Sequence, residues 1–253
     1  MTDSTYRETR QAWARIWAEA DVGVEHATGE YARARAIRDR YLASVPPGAR
    51  ILEAGCGVGT ELVALSKRGV RAIGVDYVVA ALESARRGDA RLRLAAADVH
   101  ALPFGDETFD AYLSFGVLEH FEFGPTPALH EAFRVLVPGG VLVVTVPAPN
   151  VIWRAVRWRN AHRRRGSEPG YFETAYSTRA LAGLVADAGF STTRLEPVGH
   201  AFTLWGLGGP FRGTGHYETT PLAERLGRWF ARWCPEALAF ATLVVAAKRG
   251  AAT

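Results

Sequence analysis

From residue 50 onward, short apolar runs alternate with longer stretches in which apolar residues recur at helical spacing, the rhythm of βαβ units around a parallel sheet. Strands are expected at 50–54, 71–76, 92–97, 109–115 and 141–147, with helices at 60–68, 79–87 and 127–136 between them. The last of these helices has Pro127 at an early position and stops before Pro138-Gly139-Gly140. Ahead of the first strand, helices at about 5–20 and 25–44 read as a cap, with Trp13, Ile16 and Trp17 at helical spacing on one face.

After Pro147 the rhythm breaks. Residues 148–176 are irregular and arginine-rich, a helix at 178–188 stops at Gly189, and a strand follows near 192–198. A second irregular insert from 199 to about 221 holds most of the late glycines, then come a Trp-rich helix at 222–233 and a last strand near 239–248. The expected fold is α/β, a doubly wound and mostly parallel sheet in a single domain. Residues 1–45 form its helical cap and 46–147 its cofactor-binding core; 148–176 and 199–233 are substrate lid inserts, and 177–198 with 234–253 complete the core.

Composition narrows the setting. The charge of +4 comes from 30 basic against 26 acidic residues, too small an excess to imply nucleic acid by itself. Cys56 and Cys234 are the only cysteines, so neither a disulfide framework nor a four-cysteine zinc site is available. The charged N-terminal segment lacks the apolar stretch of a signal peptide, and no run approaches the roughly 18 apolar residues of a membrane span. A cytoplasmic protein is expected.

The chemistry concentrates in Ile51-Leu52-Glu53-Ala54-Gly55-Cys56-Gly57-Val58-Gly59-Thr60, a glycine turn between strand and helix. Such a turn brings backbone close to a ligand and directs helix N-terminal amides at it. A dinucleotide fingerprint would need glycine where Thr60 stands, which makes a dehydrogenase the weakest reading. The carboxylate of Glu53 suits a ligand bearing ammonium and sulfonium groups better than a pyrophosphate. Asp76, twenty-one residues beyond Gly55, ends the second strand where it can accept ribose hydroxyls. Tyr77 beside it faces an adenine ring or simply packs. Asp98 follows the third strand, placed to accept an adenine amino group while the Val99 amide meets a ring nitrogen. Three carboxylates thus fall at the carboxyl ends of three successive strands, the edge on which open α/β sheets bind ligands.

The stretches ILEAGCGVGT, IGVDYVVAALESAR, AADVHALPFGDETFDAYLSFGVLEHF and EAFRVLVPGGVLVVTVP, in this order from about 50 to 147, resemble the class I S-adenosylmethionine-dependent methyltransferases, in particular the small-molecule subgroup of ubiquinone- and sterol-type enzymes. The resemblance implies a seven-stranded sheet with the last strand antiparallel and S-adenosyl-L-methionine as cofactor. It places Glu53, Gly55, Cys56, Gly57 and Gly59 around the methionine portion, Asp76 on the ribose, and Asp98 with Val99 on adenine. Phe115 and Gly116 would border the methionine and the transferred methyl.

The sulfonium is an activated donor, so the protein's task is alignment, exclusion of water and, where needed, removal of a proton. No compact metal-ligand cluster is present in the pattern, which argues against the magnesium-dependent catechol type and leaves separated ligands open. His120, just past the fourth strand, is the candidate base, against a structural role for the Glu119-His120 pair in its turn. Further candidates for the base are His100, Tyr171, Tyr176, His200 and His216, and Tyr171, Tyr176, His200, Trp205 and His216 are read as the substrate lid. The sequence 114–117 lacks the Asn/Asp-Pro-Pro-aromatic run of amino-nitrogen enzymes that act on bases or glutamine.

Six arginines and His162 lie between Trp153 and Arg165, interleaved with Val156 and Trp158. This Arg154–Arg165 strip reads as a solvated lid helix, a site for an anionic substrate, or a contact for an anionic membrane surface or RNA. Trp205, Phe211, Trp229, Phe230 and Trp233 suit a flat or greasy acceptor or simply pack, and 206–215 reads as a flexible flap. The leading expectation is methyl transfer to a small acceptor, anionic or aromatic, with nucleic acid disfavoured and peripheral membrane contact open. The alternatives are an RNA methyltransferase and a non-catalytic cofactor-binding domain.

Overall fold

Residues 3–152, 154–155 and 173–250 are described by a computed structural model. Strands β1 (Ile51–Ala54), β2 (Ala72–Asp76), β3 (Arg93–Ala96), β4 (Phe109–Phe115), β5 (Leu136–Pro147), β6 (Phe190–Val198) and β7 (Ala241–Lys248) form one seven-stranded sheet. Their order is β3-β2-β1-β4-β5-β7-β6, parallel from β3 to β5, with β7 antiparallel to both its neighbours. The helices are α1 (Asp3–Glu19), α2 (Val22–Thr28), α3 (Ala32–Leu42), α4 (Thr60–Lys67), α5 (Val79–Gly88), α6 (Thr126–Val135), α7 (Thr178–Asp187), α8 (His200–Trp205) and α9 (Pro221–Trp233). The doubly wound, mostly parallel sheet expected from the pattern is therefore what the chain forms.

Strand parity builds the two layers. Every residue of β1 is buried, as a parallel strand covered on both faces requires. Leu52 and Ala54 join Leu142, Val144 and the α6 and α7 residues Leu129 and Leu181 on one face. Ile51 joins Leu113, Val143 and Leu243 on the other, under Leu65 of α4 and Tyr41 of α3. Because side chains alternate along a strand, Glu53 must leave β1 on the Ile51 face, toward α3 and α4.

Four local expectations are corrected. The helix expected at 25–44 is two, α2 and α3: after Thr28 the chain turns at Gly29, whose carbonyl accepts a hydrogen bond from Arg38 Nη2 at 2.8 Å instead of continuing the ladder. Ile16 does not share the buried face of α1; it is 38% exposed, while Trp13 and Trp17 pack with Val58, Val78 and Ala81. The helix expected to reach 136 ends at Val135, and β5 starts at once. Leu136 pairs with Phe109 and the register shifts before Ala111, so Pro138-Gly139-Gly140 is an irregularity within the strand, exposed at Pro138 and Gly139 and buried at Gly140, with Gly139 at φ +77°. Finally, the insert after Gly199 opens with α8, whose Ala201 and Leu204 pack on Ala223 of α9.

Candidate active site

β1 ends against two glycines in the left-handed region, Gly55 at φ +78° and Gly57 at φ +51°. Neither position has room for a side chain. A Cβ on Gly55 would come within 2.4 Å of Val117 Cγ2, and one on Gly57 within 2.7 Å of the Trp17 ring. Gly59 serves differently: it caps α4 in the left-handed region, and a Cβ there would meet Leu92 at 3.0 Å, so its role is close packing.

Asp76 holds the turn. Its Oδ2 accepts the Gly57 amide at 2.8 Å and its Oδ1 the Val78 amide at 2.8 Å. Burial raises its pKa above the usual carboxylate value, against the pull of the Val78, Gly57 and Tyr77 amides.

Glu53, 5% exposed, has an Oε2 without any hydrogen-bond partner among the described residues. Burial, and then the like charges of Glu61 and Asp76, push its pKa well above the ordinary value. Beside it, Arg38 is 0% exposed and holds Glu61 through Nε–Oε1 at 2.7 Å and Nη2–Oε2 at 2.6 Å, while the Tyr41 hydroxyl also donates to Glu61. This network ties the cap to the first turn of α4.

Asp98 accepts the His100 amide at 2.9 Å, His100 Nδ1 at 2.8 Å and the Tyr6 hydroxyl. Burial works to raise its pKa, yet the His100 and Tyr6 hydrogen bonds hold it down at about 2.

These groups open on one cavity of about 430 Å³, within the size range of small-molecule sites. Of the residues read from sequence, Glu53, Gly55, Cys56, Gly57 and Asp76 line it, as do Tyr77, Asp98, Val99, Phe115 and Gly116. The Cys56 thiol is kept neutral, its pKa raised by burial and then by Glu53 and Asp76. Tyr77 lies 5.8 Å from the Tyr6 ring at an interplanar angle of 33°. Gly59 is not part of the lining.

The opposite wall was missed by the sequence reading. α1 contributes Tyr6, Thr9, Trp13 and Trp17, one helical face whose spacing was the available signal. α3 adds Arg33, Ala34, Ile37 and Tyr41, and the segment leading into β7 adds Phe240.

His120 lines the cavity from a 3₁₀ turn, Leu118–His120, its ring edge-on to Trp13 with centroids 5.0 Å apart. Its Nε2 is 4.0 Å from Oε1 of Glu119. Glu119 is 4% exposed, and burial, with the like charge of Glu173, pushes its pKa up to about 8.

The proposed lid residues sit elsewhere. His200 is buried with Nε2 against the Pro235 carbonyl at 2.7 Å, Trp205 stacks on Phe202 at 4.9 Å, and His216 pairs with Glu25 at 3.3 Å. Tyr176 packs on the core through its ring, and its amide donates to the Pro147 carbonyl at 3.1 Å. None of these four lines the cavity. Tyr171 and most of the Arg154–Arg165 strip lie outside the described residues. The flap expected at 206–215 stays off the cavity too: Gly213 and Gly215 fold onto Glu218, whose carbonyl and carboxylate accept their amides at 2.8 Å each. Phe211 and Phe230 pack beside α8, and Trp229 and Trp233 are 53% and 64% exposed. Among the described residues no group of His, Cys, Asp and Glu is arranged to hold a metal, and no helix is long and apolar enough to cross a membrane.

A parallel sheet wound on both faces, with a glycine turn and carboxylates at the ends of β1, β2 and β3, defines a nucleotide-type ligand site. The family model described as methyltransferase domain matches residues 52–144. The demethylmenaquinone methyltransferase of Renibacterium salmoninarum is 32% identical over 162 residues, 57% of this chain and 68% of that protein. The human protein named probable tRNA methyltransferase 9B is 38% identical over 109 residues, 42% of this chain and 23% of the relative. In fold, the chain is similar to one in the complex of the Haloferax volcanii Trm112 methyltransferase activator with a methyltransferase, at TM-score 0.65 and 20% identity, covering 94% of this chain and 98% of that one. The chain belongs to the class I S-adenosylmethionine-dependent methyltransferases. Membership implies S-adenosyl-L-methionine as the methyl donor. Matches to the first curated relatives span about half their length, 47% and 45%.

Proposed function

We propose that the chain transfers the methyl group of S-adenosylmethionine to a small-molecule acceptor held in the same cavity. The observation that carries this is the unpartnered Oε2 of Glu53, buried beside the glycine turn and facing a cavity that also holds Asp76 and Asp98. A buried carboxylate oxygen without a donor is costly unless a ligand supplies one, and the methionine ammonium does. Glu53, Gly55 and Gly57 would then hold the methionine end. Asp76 would take the ribose hydroxyls while pinning the turn, and Asp98 with Val99 would meet adenine, the Tyr6 hydroxyl sharing Asp98.

The bound cofactor supplies an already activated methyl. The chain's own residues have to orient the acceptor in line with it and keep water out. Trp13 and Trp17 of α1 and Phe115 of β4 wall the transfer region with apolar surface. His120, on that wall, is placed to take a proton from an acceptor hydroxyl or amine. The likeness to a demethylmenaquinone methyltransferase supports a small-molecule acceptor.

Calorimetric titration with S-adenosylmethionine, S-adenosylhomocysteine and a nicotinamide dinucleotide tests the reading. The first two should bind and the third should not; binding of the dinucleotide alone overturns it. Mass spectrometry of a deletion strain should then reveal a compound lighter by one methyl. The likeness to a tRNA methyltransferase favours RNA as a second reading. It requires polynucleotide binding that weakens steeply with salt, which a small-acceptor enzyme lacks.

A further inference from the structure

Arg33 is the only arginine or lysine among the described residues that line the cavity. Its guanidinium carbon lies 3.8 Å from the centroid of the Phe202 ring and 5.7 Å from that of Phe240. No ion pair or hydrogen bond joins it to any described residue. The carboxylate it feels first, Glu224, makes no ion pair with it and instead takes the Thr219 hydroxyl at 2.5 Å.

This placement works against stability three times over. Desolvation lowers the guanidinium pKa to about 10, against the pull of Glu224 and Tyr217, so the group stays charged at neutral pH in surroundings that disfavour charge. It stands in the first turn of α3, where a helix favours anions over cations. Tyr31, the N-cap of α3, supplies no side-chain acceptor to offset the positive end. The two aromatic faces return only part of this. A desolvated cation with no counter-ion, facing an open cavity, is a binding group awaiting an anion.

The sheet order says which ligand the anion belongs to. Glu53, Asp76 and Asp98 stand at the ends of β1, β2 and β3, on one half of the sheet, and match the cationic methionine end and the sugar and base of the donor. Arg33 lies near the Phe240 ring, and the same cavity is lined by Val198 and Ala241, which pair where β6 and β7 meet at the same edge on the far half. Ile37 and Phe115 add apolar surface to the lining. The cavity is therefore negative at one end and positive at the other.

We propose that Arg33 binds a carboxylate or phosphate carried by an otherwise apolar methyl acceptor, whose body lies against Phe240, Val198 and Ile37. The inference rests on the methyltransferase reading for which half of the cavity is left to the acceptor. The Arg154–Arg165 strip is not needed for it.

The test uses 8-anilinonaphthalene-1-sulfonate, an apolar ring system with one anionic group, and N-phenyl-1-naphthylamine, the same rings without it. With S-adenosylhomocysteine saturating the donor half, the sulfonate is expected to bind at least about tenfold tighter than its neutral counterpart, the scale of a charge-assisted hydrogen bond. Arg33→Met should abolish that preference while still taking up the neutral dye, and Arg33→Lys should keep most of it. Octanoate and octyl phosphate compete for the sulfonate site, and the better competitor identifies the acceptor's group. No preference in the unaltered protein, or a preference that survives Arg33→Met, overturns the proposal. If Arg33→Met does not fold, Arg33→Gln removes the charge in its place and decides the matter by the same comparison. Should S-adenosylhomocysteine fail to bind, the methyl-donor reading falls, while the dye ratio measured without it still judges Arg33.

Discussion

Asp76 reaches back across the glycine turn to Gly57, accepting its amide at 2.8 Å, so a residue at the end of β2 fixes the backbone at the end of β1. In a sheet where these two strands are adjacent and parallel, that bond sets the shape of the glycine turn at the cavity.

Asp76→Ala removes that pin together with the carboxylate proposed to accept the ribose hydroxyls. S-adenosylhomocysteine affinity should fall at least about tenfold, and stability by about 1–3 kcal/mol, because the buried Gly57 and Val78 amides lose their partner. Calorimetry and urea denaturation measure the two effects; an unchanged dissociation constant removes Asp76 from the site.

Gly57→Ala meets two obstacles. The left-handed φ of +51° costs about 1 kcal/mol for a residue with a side chain, and the new methyl would lie 2.7 Å from the Trp17 ring, pressing α1 off the turn. Melting temperature and donor affinity should both drop. Adding Trp17→Leu should recover part of the stability, since it relieves the collision and leaves the backbone strain.

Arg38→Met strands the carboxylate of Glu61 next to that of Glu53. A loss of about 3–5 kcal/mol is expected in urea denaturation, as for any buried pair broken on one side. The double variant Arg38→Met/Glu61→Gln should be more stable than Arg38→Met alone, because no uncompensated charge is left.

Glu119 makes stability depend on pH with a definite sign. Its pKa is about 8 in the folded protein against 4.5 for the free group, so the folded state holds the extra proton between these values. Stability attributable to this group is then full below about pH 4.5 and is lost as pH rises through about 8. Glu119→Gln should match the parent near pH 4.5 and exceed it at pH 9 in melting temperature. Parallel profiles for the two proteins would contradict the assignment.

Much of the cavity's carboxylate lining could be read from local pattern. Glu53, Asp76 and Asp98 were visible because each ends a strand whose apolar run is itself legible, and a glycine turn between strand and helix constrains its own backbone. The rest of the cavity wall was not legible. His200, Trp205 and His216 looked like lid residues by type, yet His200 is satisfied by a carbonyl, Trp205 by a ring and His216 by a carboxylate. Nothing within a few residues of each could have shown that.

From the order of its residues alone, the chain determines the alternation of strands and helices through the core, which strand ends carry carboxylates, and that a glycine turn joins the first strand to its helix. These depend on spacing along one element or one turn. Tertiary structure alone decides that α1 closes over Gly57 through Trp17, and that β7 enters between β5 and β6. It also brings Arg33 out of the cap against Phe202 and Phe240 without a counter-ion. Desolvation and pairing depend on what distant segments bring alongside a residue, so the charge of Arg33 acquires its meaning only once the cavity is built around it.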